Sequence, residues 1–355
     1  MTDTKIVYRP SLAQGEQPFQ DAAQDYDAFL LVSFGGPEGI EDVLPFLKNV
    51  LRGRNVPESR MIEVSHHYEL FGGVSPINQQ NRALISALEA DFKAHGLNLP
   101  IYWGNRNWHP LLLDTLAQMK RDGVRRAICF FTSMFSCYSG CRQYRENLYD
   151  AAMAVGEGAP MLDKLRMAYN HPRFIAANAE RLQDALMQIP QQRRANTFVA
   201  FTAHSIPLAM AKRSDYEVQL LDAAQLVANA SGVQNWRVVY QSRSGAPHIP
   251  WLEPDICDYL HELNEHGYQD VVILPLGFVS DHMEVIFDLD VEARAVADEL
   301  GMNMVRAVSV GIHPEFVAMI RDLVIERMSE NPERPTLGNR GPNHDVCPVD
   351  CCLPR

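Results

Sequence analysis

Phe198-Val199-Ala200-Phe201-Thr202-Ala203-His204-Ser205-Ile206-Pro207 is an apolar run of strand length that stops on a histidine, a serine and a proline. Buried parallel strands read as continuous apolar runs, and open α/β sheets carry their chemistry just past the carboxyl ends of such strands. His204 therefore stands where an α/β fold places a working imidazole. A second stretch answers it further on: Val271-Val272-Ile273-Leu274-Pro275-Leu276-Gly277-Phe278-Val279-Ser280-Asp281-His282-Met283-Glu284. It too is a strand running into a polar cluster, and it opens a helical pattern from Glu284 to Leu300. Glu284, Asp288 and Glu292 recur at i, i+4 and i+8, which stacks three carboxylates along one helix face.

Outward from these two stretches the same plan recurs. Ala28 to Phe34 reads as a first strand, broken by Gly35-Gly36-Pro37. The glycine spacing fits neither the dinucleotide fingerprint nor the P-loop, which sets nucleotide binding aside. Ile101-Tyr102-Trp103 ends in Gly104-Asn105-Arg106-Asn107-Trp108, and Ala127 to Thr132 leads into a polar, aromatic loop, Phe135 to Arg145. In the second half Trp236 to Tyr240 ends in Gln241-Ser242-Arg243-Ser244-Gly245. Helical patterns separate the strands, as the crossovers of a parallel sheet require. The two halves read as similar three-layer α/β units facing one another across a ligand cleft. The two Arg turns read equally as polar caps on strand ends. His66 to Asn78 is loop-like and suited to a ligand, with His66 and His67 in a surface or lid role.

Of 355 residues, 46% are apolar and 21% charged, the profile of a globular protein. A formal charge of −12 without a long basic run argues against nucleic acid and against an anionic membrane surface. No apolar run approaches the ~20 residues of a membrane span. Residues 1–25 lack the apolar core of a signal peptide and read as a mobile arm, so a cytoplasmic enzyme is expected. From Asn331 the chain is rich in Pro, Gly and Asn and is not expected to fold on its own. Seven cysteines do not form a disulfide framework in such a chain. Cys129 and Cys257 read as small buried hydrophobes, whereas Cys347, Cys351 and Cys352 crowd the last nine residues.

Thr202 to Pro207, Gly277 to Glu284, Ser33 to Pro37 and Gly72-Gly73-Val74-Ser75-Pro76 together resemble the ferrochelatases, which insert ferrous iron into a porphyrin. The resemblance runs in register from about Tyr26 to Met328. Ser33 to Gly39, Gly104 to Trp108 and Trp251 to Asp255 are similar to the coproporphyrin ferrochelatases of actinobacterial kind. The resemblance implies an α/β fold of two facing Rossmann-like lobes, each a mostly parallel sheet flanked by helices. The arm would be 1–25, the first lobe 26–170, the second lobe with the metal site 171–330, and the Cys-rich tail 331–355. His204 and Glu284 would be the catalytic pair at the metal, with Asp288 and Glu292 extending an acidic path outward. Phe34, Arg52, Tyr68, Ser75 and Tyr144 would face the porphyrin.

The chemistry asks for such residues. Metallation removes two pyrrole protons and takes in a cation stripped of most of its water. A neutral imidazole suits Fe²⁺ and accepts a proton, a carboxylate beside it takes the second proton, and spaced carboxylates hold a hydrated cation. Arg, Ser and Tyr answer the propionates. Phe34 stands where some relatives carry a tyrosine that can ligate product iron, which phenylalanine cannot do. With no hydrophobic membrane-docking lip expected either, coproporphyrin III is favoured over protoporphyrin IX, giving Fe-coproporphyrin for haem biosynthesis and transient contact with neighbouring haem-pathway enzymes. The alternative is a non-catalytic tetrapyrrole-binding or haem-delivery protein, which would not need His204 and Glu284. Some relatives hold a 2Fe–2S cluster with one internal and three carboxy-terminal cysteines, which here implies Cys141, Cys347, Cys351 and Cys352. The C-x₃-C-C spacing is tighter than in those relatives, Cys137 is the alternative internal ligand, and four thiolates also suit zinc.

Overall fold

A computed structural model describes residues 20–53, 57–246 and 248–354. Most of the expected arm therefore lies outside the described residues. The first half comprises β1 (Ala28–Ser33), α1 (Ile40–Val50), α2 (Glu58–Glu69), α3 (Ile77–Ala94), β2 (Ile101–Asn105), α4 (Leu112–Arg121), β3 (Arg126–Phe131), α5 (Gln143–Val155) and β4 (Met161–Lys164). The second comprises α6 (Pro172–Met187), β5 (Phe198–His204), α7 (Leu208–Ala211), α8 (Tyr216–Ser231), β6 (Trp236–Gln241) and α9 (Ile256–Glu265). It continues with β7 (Asp270–Leu274), α10 (Met283–Val285), α11 (Arg294–Glu299), β8 (Asn303–Arg306) and α12 (Pro314–Met328).

The apolar runs form two parallel four-stranded sheets of identical plan, β2-β1-β3-β4 and β6-β5-β7-β8. Every residue of β1 and of β7 is buried, as strands covered on both faces must be. The outer strands β4 and β8 were not anticipated. They are four residues long and mix Asp and Lys, or Asn and Arg, with apolar residues, so they lack the apolar run that marked the others.

This strand order reverses direction between β1 and β3 and again between β5 and β7. Open α/β sheets bind ligands outside the carboxyl ends at such a switch point. His204 closes β5, and Glu284 lies in the segment after β7. Close packing forces that segment inward: a Cβ on Gly277 would lie 2.6 Å from the Ala203 Cβ, so only glycine lets the chain cross the end of β5 there. In the first sheet the matching positions lead into Phe34 and the Cys137-to-Tyr144 loop.

The lobes share one core. Residues of both sheets, among them Phe29, Phe130, Phe201 and Leu274, belong to it together with Phe174 and Phe316. Phe130 meets Phe316 at 6.1 Å and Phe135 meets Tyr216 at 6.4 Å, edge to face. Truncating such a ring to alanine costs about 3–5 kcal/mol. Polar contacts join the carboxyl ends as well: Gln80 at the start of α3 exchanges two hydrogen bonds with the Asp281 backbone, 2.9 and 3.0 Å.

The tail takes its shape from the body rather than from itself. Lys164 Nζ donates to the His344 carbonyl at 2.9 Å, and Arg334 bonds both Glu326 and Asp345. Beneath it Arg166 grips Glu326 with two bonds of 2.7 and 3.0 Å, both side chains buried. The described end of the arm joins in, since the Asp21 N–H donates to Asp345 Oδ2 at 3.0 Å.

Candidate active site

His204 Nδ1 lies against the Ser205 carbonyl. A carbonyl can only accept, so Nδ1 carries a proton, and Nε2 is the nitrogen whose lone pair the neutral form presents. Nε2 faces Glu284 Oε2 at 3.8 Å. That gap is too long for a hydrogen bond and matches two ligands reaching a common cation at about 2.0–2.2 Å each. Both side chains are open to the cleft, at 34% and 51% exposure. His282, two residues before Glu284, also belongs to this corner. Burial depresses its pKa, and Glu284 opposes that shift while His204 adds to it.

Beyond Glu284 the helix is not α-helical throughout. Ile286–Ala293 is a π-helix between α10 and α11, where an uninterrupted α-helical pattern was expected. Such turns recur at functional sites. Asp288 on this segment accepts from Ser242 Oγ and from Gln241 Nε2, the latter at 3.2 Å. Burial pushes its carboxyl up to about 7, with the Ser242 bond opposing and the charges of Glu284 and Glu292 adding. Glu292 is raised by burial and then by Asp255. Cys257, expected to be buried, is half-buried instead, and its thiol borders this carboxylate row. Burial first, then Asp255, Glu292 and Asp288, push it up to about 12.

The opposite side is aromatic. Phe34 packs edge to face on Phe46 at 6.2 Å, and Phe46 packs on Tyr68 at 6.0 Å. Tyr68 on α2 is buried, which raises its phenol, with Glu284 across the cleft adding to the shift. Tyr144 is buried beside Phe131 at 5.2 Å. Ser75 is buried and tied to Pro37 by its N–H at 2.9 Å. Arg52 is exposed, its guanidinium 2.6 Å from Asn49 Oδ1. Phe34, Tyr68, Ser75 and Tyr144 thus sit in the first lobe's wall, with Arg52 at its outer edge.

Arg106, read from sequence as a polar Arg turn or equally as a cap on a strand end, lies over the Tyr144 ring at 4.4 Å and the Phe34 ring at 5.6 Å. Gln241 and Ser242, read the same way, hold Asp288. In both cases the signal was a polar turn directly after a strand. His67 stacks on Phe287 of the π-helix at 3.9 Å and 11°, which makes α2 a cover over the second lobe, while His66 stays exposed beside Glu69. Ile40, Leu44, Ile62, Leu70 and Val74 stand exposed along α1, α2 and the turn after it. Among the described residues no helix is long and apolar enough to cross a membrane.

Four thiols meet on the far side of the first lobe. Cys141 contacts Cys347 and Cys352, Cys351 contacts Cys347, and Cys351 Sγ lies 3.5 Å from Cys352 Sγ. Cys347 is the thiol held low, by hydrogen bonds from Cys141 and Cys351 against burial, with Lys164 and Arg145 assisting. Cys137 is not in this ring; its sulfur accepts from the Gly140 N–H at 3.1 Å. As they stand, no three or more His, Cys, Asp or Glu among the described residues are arranged around a metal position. The thiols touch one another instead of opening around a centre.

Two parallel sheets of one plan, facing each other with their ligand ends, define a chelatase-type α/β fold. The sirohydrochlorin chelatase SirB of Bacillus subtilis subspecies spizizenii, solved with cobalt, shares it at TM-score 0.50 and 13% identity, over 85% of this chain and 94% of that one. The sequence profile described as "Ferrochelatase" matches residues 26–328. A Rhodopirellula baltica protein named "Ferrochelatase" is 60% identical over 329 residues, 92% of this chain and 93% of that one. A Streptomyces griseus protein named "Coproporphyrin III ferrochelatase" is 52% identical over 352 residues, 93% of this chain and 94% of that one. The chain belongs to the ferrochelatase family of metal-inserting lyases.

Proposed function

We propose that this enzyme inserts Fe²⁺ into coproporphyrin III, with His204 and Glu284 as the catalytic pair and Asp288 and Glu292 as the route by which iron arrives. The observation that carries the reading is the 3.8 Å gap between a free imidazole nitrogen and a carboxylate oxygen at the switch point of the second sheet. His204 Nε2 takes one pyrrole proton and Glu284 the other, Fe²⁺ replaces both on the macrocycle, and the protons leave along the carboxylate row. Asp288, with its ordinary pKa raised toward neutrality, accepts and releases protons at working pH. Phe34, Tyr68, Ser75 and Tyr144 hold the macrocycle and its propionates, with Arg52 at the rim. The first lobe, residues 26–170, is the porphyrin holder and the second, 171–330, the metallating half. The names of the Streptomyces relatives, at 52% identity, support the four-propionate substrate.

Cys141, Cys347, Cys351 and Cys352 hold a 2Fe–2S cluster in this reading. The donors fit in kind and number, four buried or half-buried thiols in mutual contact that part to admit a cluster, with Lys164 and Arg145 near to balance thiolate charge. The cluster pins the tail to the first lobe. We place the enzyme in the cytoplasm, a reading that seven free thiols favour.

Anaerobic incubation with Fe²⁺ and either porphyrin, followed by absorbance, tests the assignment. Faster formation of Fe-coproporphyrin than of protohaem is expected. No metallated product from either porphyrin would overturn the enzyme reading, and a protoporphyrin preference would overturn the substrate. Reddish-brown protein that loses its visible absorbance on Cys141→Ser supports the cluster; colourless, zinc-loaded protein refutes it.

A further inference from the structure

The turn that carries Cys141 touches the tail on one side and the aromatic wall on the other. Arg142 Nη1 donates to the Val349 carbonyl at 2.7 Å and to the Cys351 carbonyl at 3.1 Å. Its Nε donates to Glu146 Oε1 at 2.8 Å, and Tyr138 donates to Glu146 Oε2 at 3.0 Å. One carboxylate therefore braces both ends of the π-helical turn Tyr138–Arg142. Inside that turn the Ser139 carbonyl accepts from Arg106 Nη1 at 3.3 Å, and Asn147, next to Glu146, accepts from Arg106 Nε at 2.7 Å. Arg106 is thus held over Tyr144 and Phe34. A guanidinium is planar with donors in a fixed fork, so moving one set of acceptors reorients the whole group.

We propose that Arg142 is a positioning residue that couples the four-thiol site to the porphyrin wall, so that pinning the tail orders Arg106, Tyr144 and Phe34 for porphyrin. The coupling to metal rests on the thiol-site reading above. The two carbonyls that Arg142 holds flank the half-buried Cys351, so their place depends on how that thiol is engaged. When the thiols release the tail, Arg142 loses two acceptors from a side chain that is only 16% exposed, and the brace on Ser139 loosens with it.

The test is porphyrin affinity rather than turnover. Quenching of coproporphyrin III fluorescence by the full chain is measured without iron. The samples are the wild type as purified, the wild type stripped by a chelator under reducing conditions, Arg142→Met and Arg142→Lys, with metal content and visible absorbance recorded for each. Arg142→Met, still metal-loaded, should bind porphyrin roughly 3- to 10-fold more weakly, the coupling expected within one hydrogen-bond network. Stripping the wild type should give the same loss, stripping Arg142→Met should add nothing, and Arg142→Lys should recover part. Unchanged affinity in Arg142→Met, or equal further losses on stripping both proteins, would overturn the proposal. Should Arg142→Met fail to fold, Asn147→Leu cuts the strut at its Arg106 end and is judged by the same affinity. A wild type that holds neither iron nor zinc ends the thiol-site reading, while the Arg142→Met affinity still decides whether the strut exists.

Discussion

The two sheets share one strand order but end in different chemistry. In the first, Ser33 pairs with Asn105 at the strand ends, Phe34 follows directly, and Tyr144 comes from α5 after β3. In the second, His204 pairs with Gln241 at the matching place, and the carboxylates Glu284, Asp288 and Glu292 come from the segment after β7. In the proposed reading, the same scaffold position serves the flat macrocycle in one lobe and the cation and protons in the other. The difference lies in the few residues past each strand, and the strands themselves are interchangeable apolar runs.

That contrast predicts an ordered set of losses. His204→Ala removes the imidazole at the end of β5 and should lower iron insertion by roughly 10²–10⁴-fold, measured as product absorbance under anaerobic conditions. Glu284→Gln keeps the shape of the pair and removes its charge, and a loss of about 10²-fold is expected. Retention of most turnover by either variant would refute the assignment of the second lobe. Asp288→Asn and Glu292→Gln should mainly raise the Fe²⁺ concentration required, roughly tenfold, with a smaller fall in kcat for Asp288→Asn, which removes a proton carrier. An unaltered iron dependence would remove the carboxylate route.

A smaller effect belongs to the junction between the lobes. His171 caps α6, its Nδ1 accepting from the Arg173 N–H at 3.2 Å. Burial, then the charge of Arg166, lowers its pKa from 6.5 to about 4. A depressed histidine contributes stability that is present above 6.5 and is lost as pH falls toward 4, because the unfolded chain takes the proton first. The loss approaches ~3 kcal/mol at the acid end. His171→Asn keeps a capping side chain and should flatten the decline between pH 6.5 and 4 in thermal melts, whereas an unchanged slope would place acid sensitivity elsewhere.

The central strands were legible because burial on both faces leaves an unbroken apolar run, as in Val271–Leu274. The edge strands β4 and β8 were not, since their residues answer to water on one side. His204 was legible as the abrupt end of a run, and the i, i+4 carboxylates by their spacing. The π-helical winding that carries them leaves no such pattern. Arg106 was hidden because an Arg turn looks alike whether it caps a strand or lies on a ring. Its role depends on Tyr144 and Asn147, which are distant in sequence. The apolar side chains on α1 and α2 were hidden for the opposite reason, since an amphipathic pattern does not say which apolar residues find a partner.

The division of labour is tested most directly by measuring two quantities on one variant from each lobe. Porphyrin affinity from fluorescence quenching and iron insertion at saturating porphyrin are compared for Phe34→Ala and His204→Ala. Phe34→Ala should lose affinity and keep most of its turnover once saturated, while His204→Ala should bind porphyrin within about twofold of wild type and lose iron insertion by roughly 10²–10⁴-fold. Two variants failing in the same quantity would contradict the account.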